Sequence, residues 1–170
     1  MEKADQVELR REWNTSLVYD FGKRRSELCK AMDYKASWFK RWCDELSEVP
    51  NFHRKQWEFV YVMQALWERG CIVKGKKGLV FAVGGEPLPA MFAKYGCSIL
   101  ATDIFPEKGI SKGWAESGQL CFGIESLNKR NICEEELFKS LVTYKAVDMN
   151  EIPDDLSGFD FNWSSCPFEH

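Results

Sequence analysis

Only two histidines, His53 and His170, occur in the chain, and its seven cysteines contain no C-x-x-C pair. That supply speaks against a zinc site, and the odd, irregularly spaced cysteines speak against a disulfide framework. They read as reduced, mostly buried small hydrophobes of a cytosolic protein. No apolar run approaches the roughly 18 residues of a membrane span. The amino-terminal MEKADQVELRREW is too charged for a signal peptide, so a soluble, cytoplasmic protein is expected. There is no basic excess either: 23 Lys and Arg stand against 26 Asp and Glu, a formal net charge of −3. The basic residues form short clusters beside acids, at Lys23 to Arg25, Lys74 to Lys77 and Lys129-Arg130, so no nucleic-acid partner is expected.

With 170 residues, 45% of them hydrophobic, the chain has material for one domain with a packed core. The stretch from Lys77 to Phe105 organises it. Gly78 to Val83 is an apolar run with the length and residue types of a buried strand, and it breaks at Gly84-Gly85. Glu86-Pro87-Leu88-Pro89 leads into a helix from Ala90 to Tyr95, with the prolines confined to its first turn, where N–H groups have no intrahelical partner. Gly96 stops that helix. A second apolar run, Ser98 to Ala101, ends on Thr102-Asp103. Strand, glycine turn, helix, strand and acid make half of a nucleotide-binding Rossmann-like unit. The acid falls roughly 20 positions after the glycines, where such folds hold a ribose hydroxyl.

The turn chemistry narrows the nucleotide. A pyrophosphate site needs spaced glycines and free N–H groups at the helix start. Here Glu86 stands where the second glycine of G-x-G-x-x-G belongs, and Pro87 and Pro89 remove two donors. A ligand with an adenosine at one end and positive charge at the other suits this turn better, with Asp103 at the ribose and Glu86 facing the cation. S-adenosylmethionine is such a ligand.

On these residues the chain resembles a class I S-adenosylmethionine-dependent methyltransferase, and in particular a bacterial group with the pattern G-L-x-F-x-V-G-x-E-P-L-P followed by A-T-D. The pattern stands here as Gly78, Leu79, Phe81, Val83, Gly84, Glu86, Pro87, Leu88, Pro89 and Ala101, Thr102, Asp103. The likeness runs from about His53 to His170 and includes HRKQWEF, VDMNEIP and FDFNWSSCPFEH. Two positions depart from the wider superfamily: Ala82 replaces the usual acid before the first glycine, and Glu86 replaces the usual second glycine. The resemblance implies an α/β, Rossmann-like open sheet, mainly parallel and flanked by helices. It implies S-adenosylmethionine as cofactor, with Val83, Gly84, Gly85, Glu86, Pro87, Asp103 and Ile104 around it. It further implies that Asp148 accepts from the adenine amino group while Met149 packs on the ring, and that Ser164 lies at the carboxyl edge of the sheet. It leaves the acceptor open among a sugar, a lipid-linked glycan, a small metabolite and a protein.

Residues 1–50 read as a helical extension and 51–170 as the amino-terminal part of the methyltransferase-like domain. In Ser37 to Leu46, Trp38, Trp42 and Leu46 recur at helical spacing opposite Lys40, Arg41, Asp44 and Glu45, so the aromatic stripe packs on the domain, covers the substrate or contacts a second copy. The run Arg54 to Arg69 is apolar on nearly all sides and reads as a buried helix leading into the first strand. Trp57 and Glu58 are either contacts to the cofactor's methionine end, as the resemblance allows, or a core aromatic and a surface ion-pairing acid.

After Asp103 the segment to Arg130 reads as irregular with one short helix, and Gly113 to Gln119 either borders the active site or is an ordinary loop. Cys133 to Leu141 reads as a helix, Tyr144 to Val147 as the third strand, Ile152 to Leu156 as a turn with helical character, and Phe159 to Trp163 as the fourth strand. Alone, a strand-terminal acid such as Asp148 is a cap or turn residue. Glu169 and His170 follow the fourth strand, where either reads as a candidate base for deprotonating an acceptor or as structural.

A fifth strand, its helix and a final antiparallel pair are missing relative to the family. The chain therefore reads as truncated after the fourth strand, with an unfinished sheet edge open to oligomerisation. Two other functions compete with methyl transfer: a nucleotide-dependent oxidoreductase or epimerase, and a non-catalytic methyltransferase-like interaction module.

Overall fold

The computed structural model describes residues 27–105, 121 and 123–165. Four strands, β1 (Lys77–Val80), β2 (Ser98–Asp103), β3 (Val142–Ala146) and β4 (Phe161–Trp163), form one parallel sheet in the order β3-β2-β1-β4. Among the described residues four α-helices accompany them: α1 (Ser37–Glu45), α2 (Arg54–Glu68), α3 (Leu88–Lys94) and α4 (Glu135–Leu141). This is an α/β parallel sheet with flanking helices, as expected. The chain steps outward from β1 to β2 to β3 through α3 and α4, then returns across the sheet to place β4 on the far side of β1. That reversal makes a topological switch point between β1 and β4, at whose carboxyl ends open α/β sheets bind ligands.

The first strand is shorter than its apolar run. Pairing as a regular strand stops at Val80, and Ala82 adopts a left-handed φ of 50°. Phe81 N–H still reaches the Trp163 carbonyl (3.3 Å) and Val83 N–H the Thr102 carbonyl (2.9 Å), so the kinked segment stays docked between its neighbours. Helix α3 begins at Leu88, two residues earlier than expected, with Pro87 as its cap and Pro89 inside the first turn. Strand β3 likewise begins two residues early, directly on the end of α4. Between Val147 and Asp160 the return to β4 consists of turns, so the helical character expected near Ile152 is absent. Pro153 lacks a donor and Gly158 sits at φ 80°, which together interrupt any helical run.

Helices α3 and α4 pack against one another, and their face of the sheet is lined by Val80, Ile99, Ala101, Val142, Phe161 and Trp163. Phe92 of α3 meets the rings of Trp163 and Phe161 with centroids at 4.7 and 5.2 Å. Gly78 belongs to this contact. A Cβ there meets the Phe161 ring at 2.6 Å and Ile99 Cδ1 at 2.8 Å, and the Phe161 ring is held by Phe92 and Trp163. Gly78→Ala is therefore expected to cost about 2 kcal/mol by overpacking, read as a lower urea midpoint with unchanged slope. An unchanged midpoint rejects this account of the glycine.

The aromatic helix α1 packs on the domain. Its buried face is Phe39, Trp42, Cys43 and Leu46, centred one position past the expected stripe, with Trp38 only partly covered. Trp42 meets Trp67 and Tyr95 edge-on, its indole N–H donates to Gln64 Oε1 (2.7 Å), and the Arg41 guanidinium lies 4.4 and 4.6 Å from the Trp42 and Trp67 rings. Glu45 accepts from Tyr95 Oη (2.5 Å) and pairs with Lys94 (3.0 Å), which joins α1 to the end of α3. The six cysteines among the described residues are free thiols, and burial pushes Cys43 up to about 12 and Cys97 up to about 11.

Candidate functional site

The glycine turn leaves β1 at the switch point. Gly84 is buried with φ 52°, a conformation that favours glycine, whereas Gly85 is exposed and a Cβ there meets nothing within 4 Å. The backbone thus offers an open surface at Gly85. Pro87 is buried and caps α3, and Val83 is buried with its N–H on β2.

Asp103 ends β2 at 4% exposure. Its Oδ2 accepts from the backbone N–H groups of Gly84 and Cys121 (both 3.0 Å), and its Oδ1 from that of Ile104 (2.8 Å). Burial raises the carboxyl pKa, and these three donors work against that rise. The acid expected at a ribose therefore also clamps the glycine turn to β2 and to the chain near Cys121. Ile104 is half-buried beside it.

Glu86 occupies the other flank. It is 5% exposed, and its Oε1 accepts from the indole N–H of Trp163 at 2.5 Å, bridging from the turn after β1 to the end of β4. Burial pushes its pKa up to about 7; Trp163, the nearby Ser165 hydroxyl and the charge of Lys55 pull it down, while Asp103 pushes it up. Lys55, in the first turn of α2, acts on Glu86 through its charge and is itself paired with Glu58 (3.1 Å). Ser164 Oγ donates to the Phe81 carbonyl (2.9 Å) and secures β4 to the kinked end of β1.

Two buried side-chain polar atoms among the described residues make no hydrogen bond of ordinary geometry, Tyr144 Oη and Ser165 Oγ. Tyr144 lies near enough to Asp103 for that charge to act on its phenol, and the Ser165 hydroxyl lies near enough to Glu86 to favour its ionised form.

Other predicted residues lie elsewhere or have different partners. Trp57 is a core residue: it stacks on Tyr61 with centroids at 4.6 Å and donates from Nε1 to Asp33 Oδ2 (2.8 Å). Glu58 pairs with Arg54 (3.3 Å) and Lys55 (3.1 Å). Both match the structural side of the sequence reading. Asp148 Oδ1 accepts from the backbone and side-chain amides of Asn150 (3.0 Å each), an Asx turn just past β3, and Met149 is half-buried next to it. Glu169, His170 and the segment Gly113 to Gln119 lie outside the described residues.

The sequence does not single out Trp163, Tyr144 or the Cys121 N–H: the two aromatics reach the site through strand pairing and Cys121 through its bond to Asp103, whereas Ser165 stands beside Ser164 at the carboxyl edge as expected. A separate cleft of about 450 Å³ lies at the start of α2, lined by Glu48, Asn51, His53, Gln56 and Arg130 among others. Its polar groups largely satisfy one another: Gln56 binds Glu48 (2.6 Å), the Val49 carbonyl (3.0 Å) and the Asn51 N–H (2.9 Å), and Arg130 pairs with Glu48. Neither Asp103 nor Glu86 lines it, so the switch point is the stronger candidate.

No protein-family model, curated protein or solved structure matches the chain.

Proposed function

We propose that the crevice at the carboxyl ends of β1, β2 and β4 binds S-adenosylmethionine and that the chain belongs to a methyltransferase of the Rossmann-like class. The observation that carries this reading is the pair of buried carboxylates on either side of one glycine turn, Asp103 on β2 and Glu86 against β4. A pyrophosphate at the same turn faces two acids and a helix whose first turn lacks proline N–H donors, which argues against a dinucleotide oxidoreductase. An adenosine with a cationic tail meets a hydroxyl acceptor at one end and a counter-charge at the other.

Asp103 retains acceptor capacity on Oδ1 beyond the Ile104 N–H, enough for a ribose hydroxyl. Gly85 leaves room for the ligand to approach backbone. Glu86, little screened because it is buried, holds the cationic end, and a nearby cation draws it to its ionised form. Asp148 and Met149 take the adenine, and Ser164 keeps the β4 side of the crevice in register. Bound there, S-adenosylmethionine supplies a methyl group activated by its sulfonium. The protein's task is then to position the acceptor, a small molecule or a glycan, and to exclude water.

Calorimetric titration with S-adenosylmethionine and S-adenosylhomocysteine tests this. Wild type is expected to bind both, and Gly85→Ala to bind at least about tenfold more weakly because its methyl group occupies the approach to the turn. The variant should melt as wild type does, since its Cβ meets no protein atom. A folded wild-type chain that gives no binding heat with either ligand overturns the proposal.

A further inference from the structure

Tyr144 was singled out by no motif, yet its hydroxyl is one of two orphaned buried polar atoms among the described residues. It sits on β3, in register with Ala101 of β2, two positions before the Asp103–Ala146 pair that ends the ladder. The ring is partly buried against the core, while the Oη is enclosed. Burial, with Cys121 and Asp103 near enough for their charges to act, pushes the phenol up to about 12, so it is a neutral donor under ordinary conditions.

Those two neighbours are already engaged. Asp103 receives three backbone N–H groups, and the Cys121 thiol lies within hydrogen-bonding reach of the Gly123 carbonyl (3.4 Å) and Ser126 Oγ (3.5 Å). A buried hydroxyl without a partner is unfavourable unless a bound group supplies one.

We propose that Tyr144 is a ligand-contacting residue of the nucleoside end of the site, donating from Oη to a ribose hydroxyl that itself donates to Asp103. This rests on the reading of the crevice as an adenosine site and adds a residue to it. A ribose hydroxyl is both donor and acceptor, so it can satisfy the remaining Asp103 acceptor and the orphaned Tyr144 donor at once. An adenine edge also sets a donor beside an acceptor, and the deoxy analogues in the test distinguish it from a ribose hydroxyl.

Tyr144→Phe removes one oxygen and no packing surface. Titrated with S-adenosylhomocysteine, the variant should bind about tenfold more weakly than wild type, the effect of one lost hydrogen bond. Its loss should vanish with either the 2′-deoxy or the 3′-deoxy analogue of the same ligand, whichever lacks the partnering hydroxyl. Without ligand, the variant should melt no lower than wild type, because the hydroxyl has no protein partner to lose. Equal affinity of wild type and variant overturns the proposal while leaving the adenosine site standing. So does an equal loss on all three ligands, which moves the contact off the ribose hydroxyls, or a melting temperature several degrees below wild type, which makes the hydroxyl structural. Failure of wild type to bind any of the three overturns the adenosine reading and this proposal with it.

Discussion

Asp103→Ala is expected to lower stability by about 4 kcal/mol, because it leaves three backbone N–H groups without their acceptor. Those groups belong to Gly84, Ile104 and Cys121, and the bonds to Gly84 and Cys121 are buried. For a chain of this size the change corresponds to a melting temperature about 10 °C lower. Asp103→Asn keeps one acceptor oxygen and turns an amide toward the remaining donors, so it should fall between alanine and wild type. Thermal melts of the three proteins check the order, and an alanine variant melting within 2 °C or so of wild type rejects the clamp. The clamp also affects ligand experiments. Loss of binding in Asp103→Ala does not separate a missing ribose contact from a collapsed glycine turn, whereas Gly85→Ala and Tyr144→Phe leave the clamp intact.

Glu86 governs the second large effect, the dependence of stability on pH. Its carboxyl is raised from an ordinary 4.5 to about 7, chiefly by burial. The folded state therefore holds this proton more tightly than the unfolded chain. Stability from this group is fully present below pH 4.5 and is lost as pH rises through about 7, with no further change above. The difference across that window is about 3 kcal/mol. Asp103 is shifted in the same direction, so wild type alone does not isolate Glu86.

Glu86→Gln does isolate it. The glutamine carbonyl can still accept from Trp163 Nε1 and carries no charge to desolvate. The variant should match wild type near pH 4.5 and exceed it by about 3 kcal/mol at pH 8. Urea unfolding of both proteins at the two pH values measures the difference, and a gap independent of pH rules out a buried, titrating Glu86. In the presence of S-adenosylmethionine the advantage at pH 8 should shrink, because a bound cation stabilises the charged wild-type side chain and not the amide.

The residues around the turn show how far a linear reading reaches. Gly84 and Asp103 are legible because a strand, a glycine break, a helix and a second strand impose their spacing locally, and the α/β order follows from the same alternation. Strand β1 is shorter than its apolar run for a local reason as well: the run continues through Val83, but Ala82 turns left-handed, and nothing in an alanine announces a positive φ. Glu86 was legible as an acid at an unusual place. Its orientation was not, because the partner that holds it, Trp163, lies 77 residues away and arrives only when β4 pairs with β1.

The sequence by itself determined the parallel α/β pattern, the place of the glycine turn and the two acids that follow it, since each depends on periodicity and residue type within a few turns of chain. Only the tertiary structure decided what those acids do. The strand order puts β2 on one side of β1 and β4 on the other, so Asp103 and Glu86 come to flank one turn and the Tyr144 and Ser165 hydroxyls come to lie near them. Contacts between residues so far apart in sequence are set by the free energy of the whole packed sheet, and no local preference encodes them.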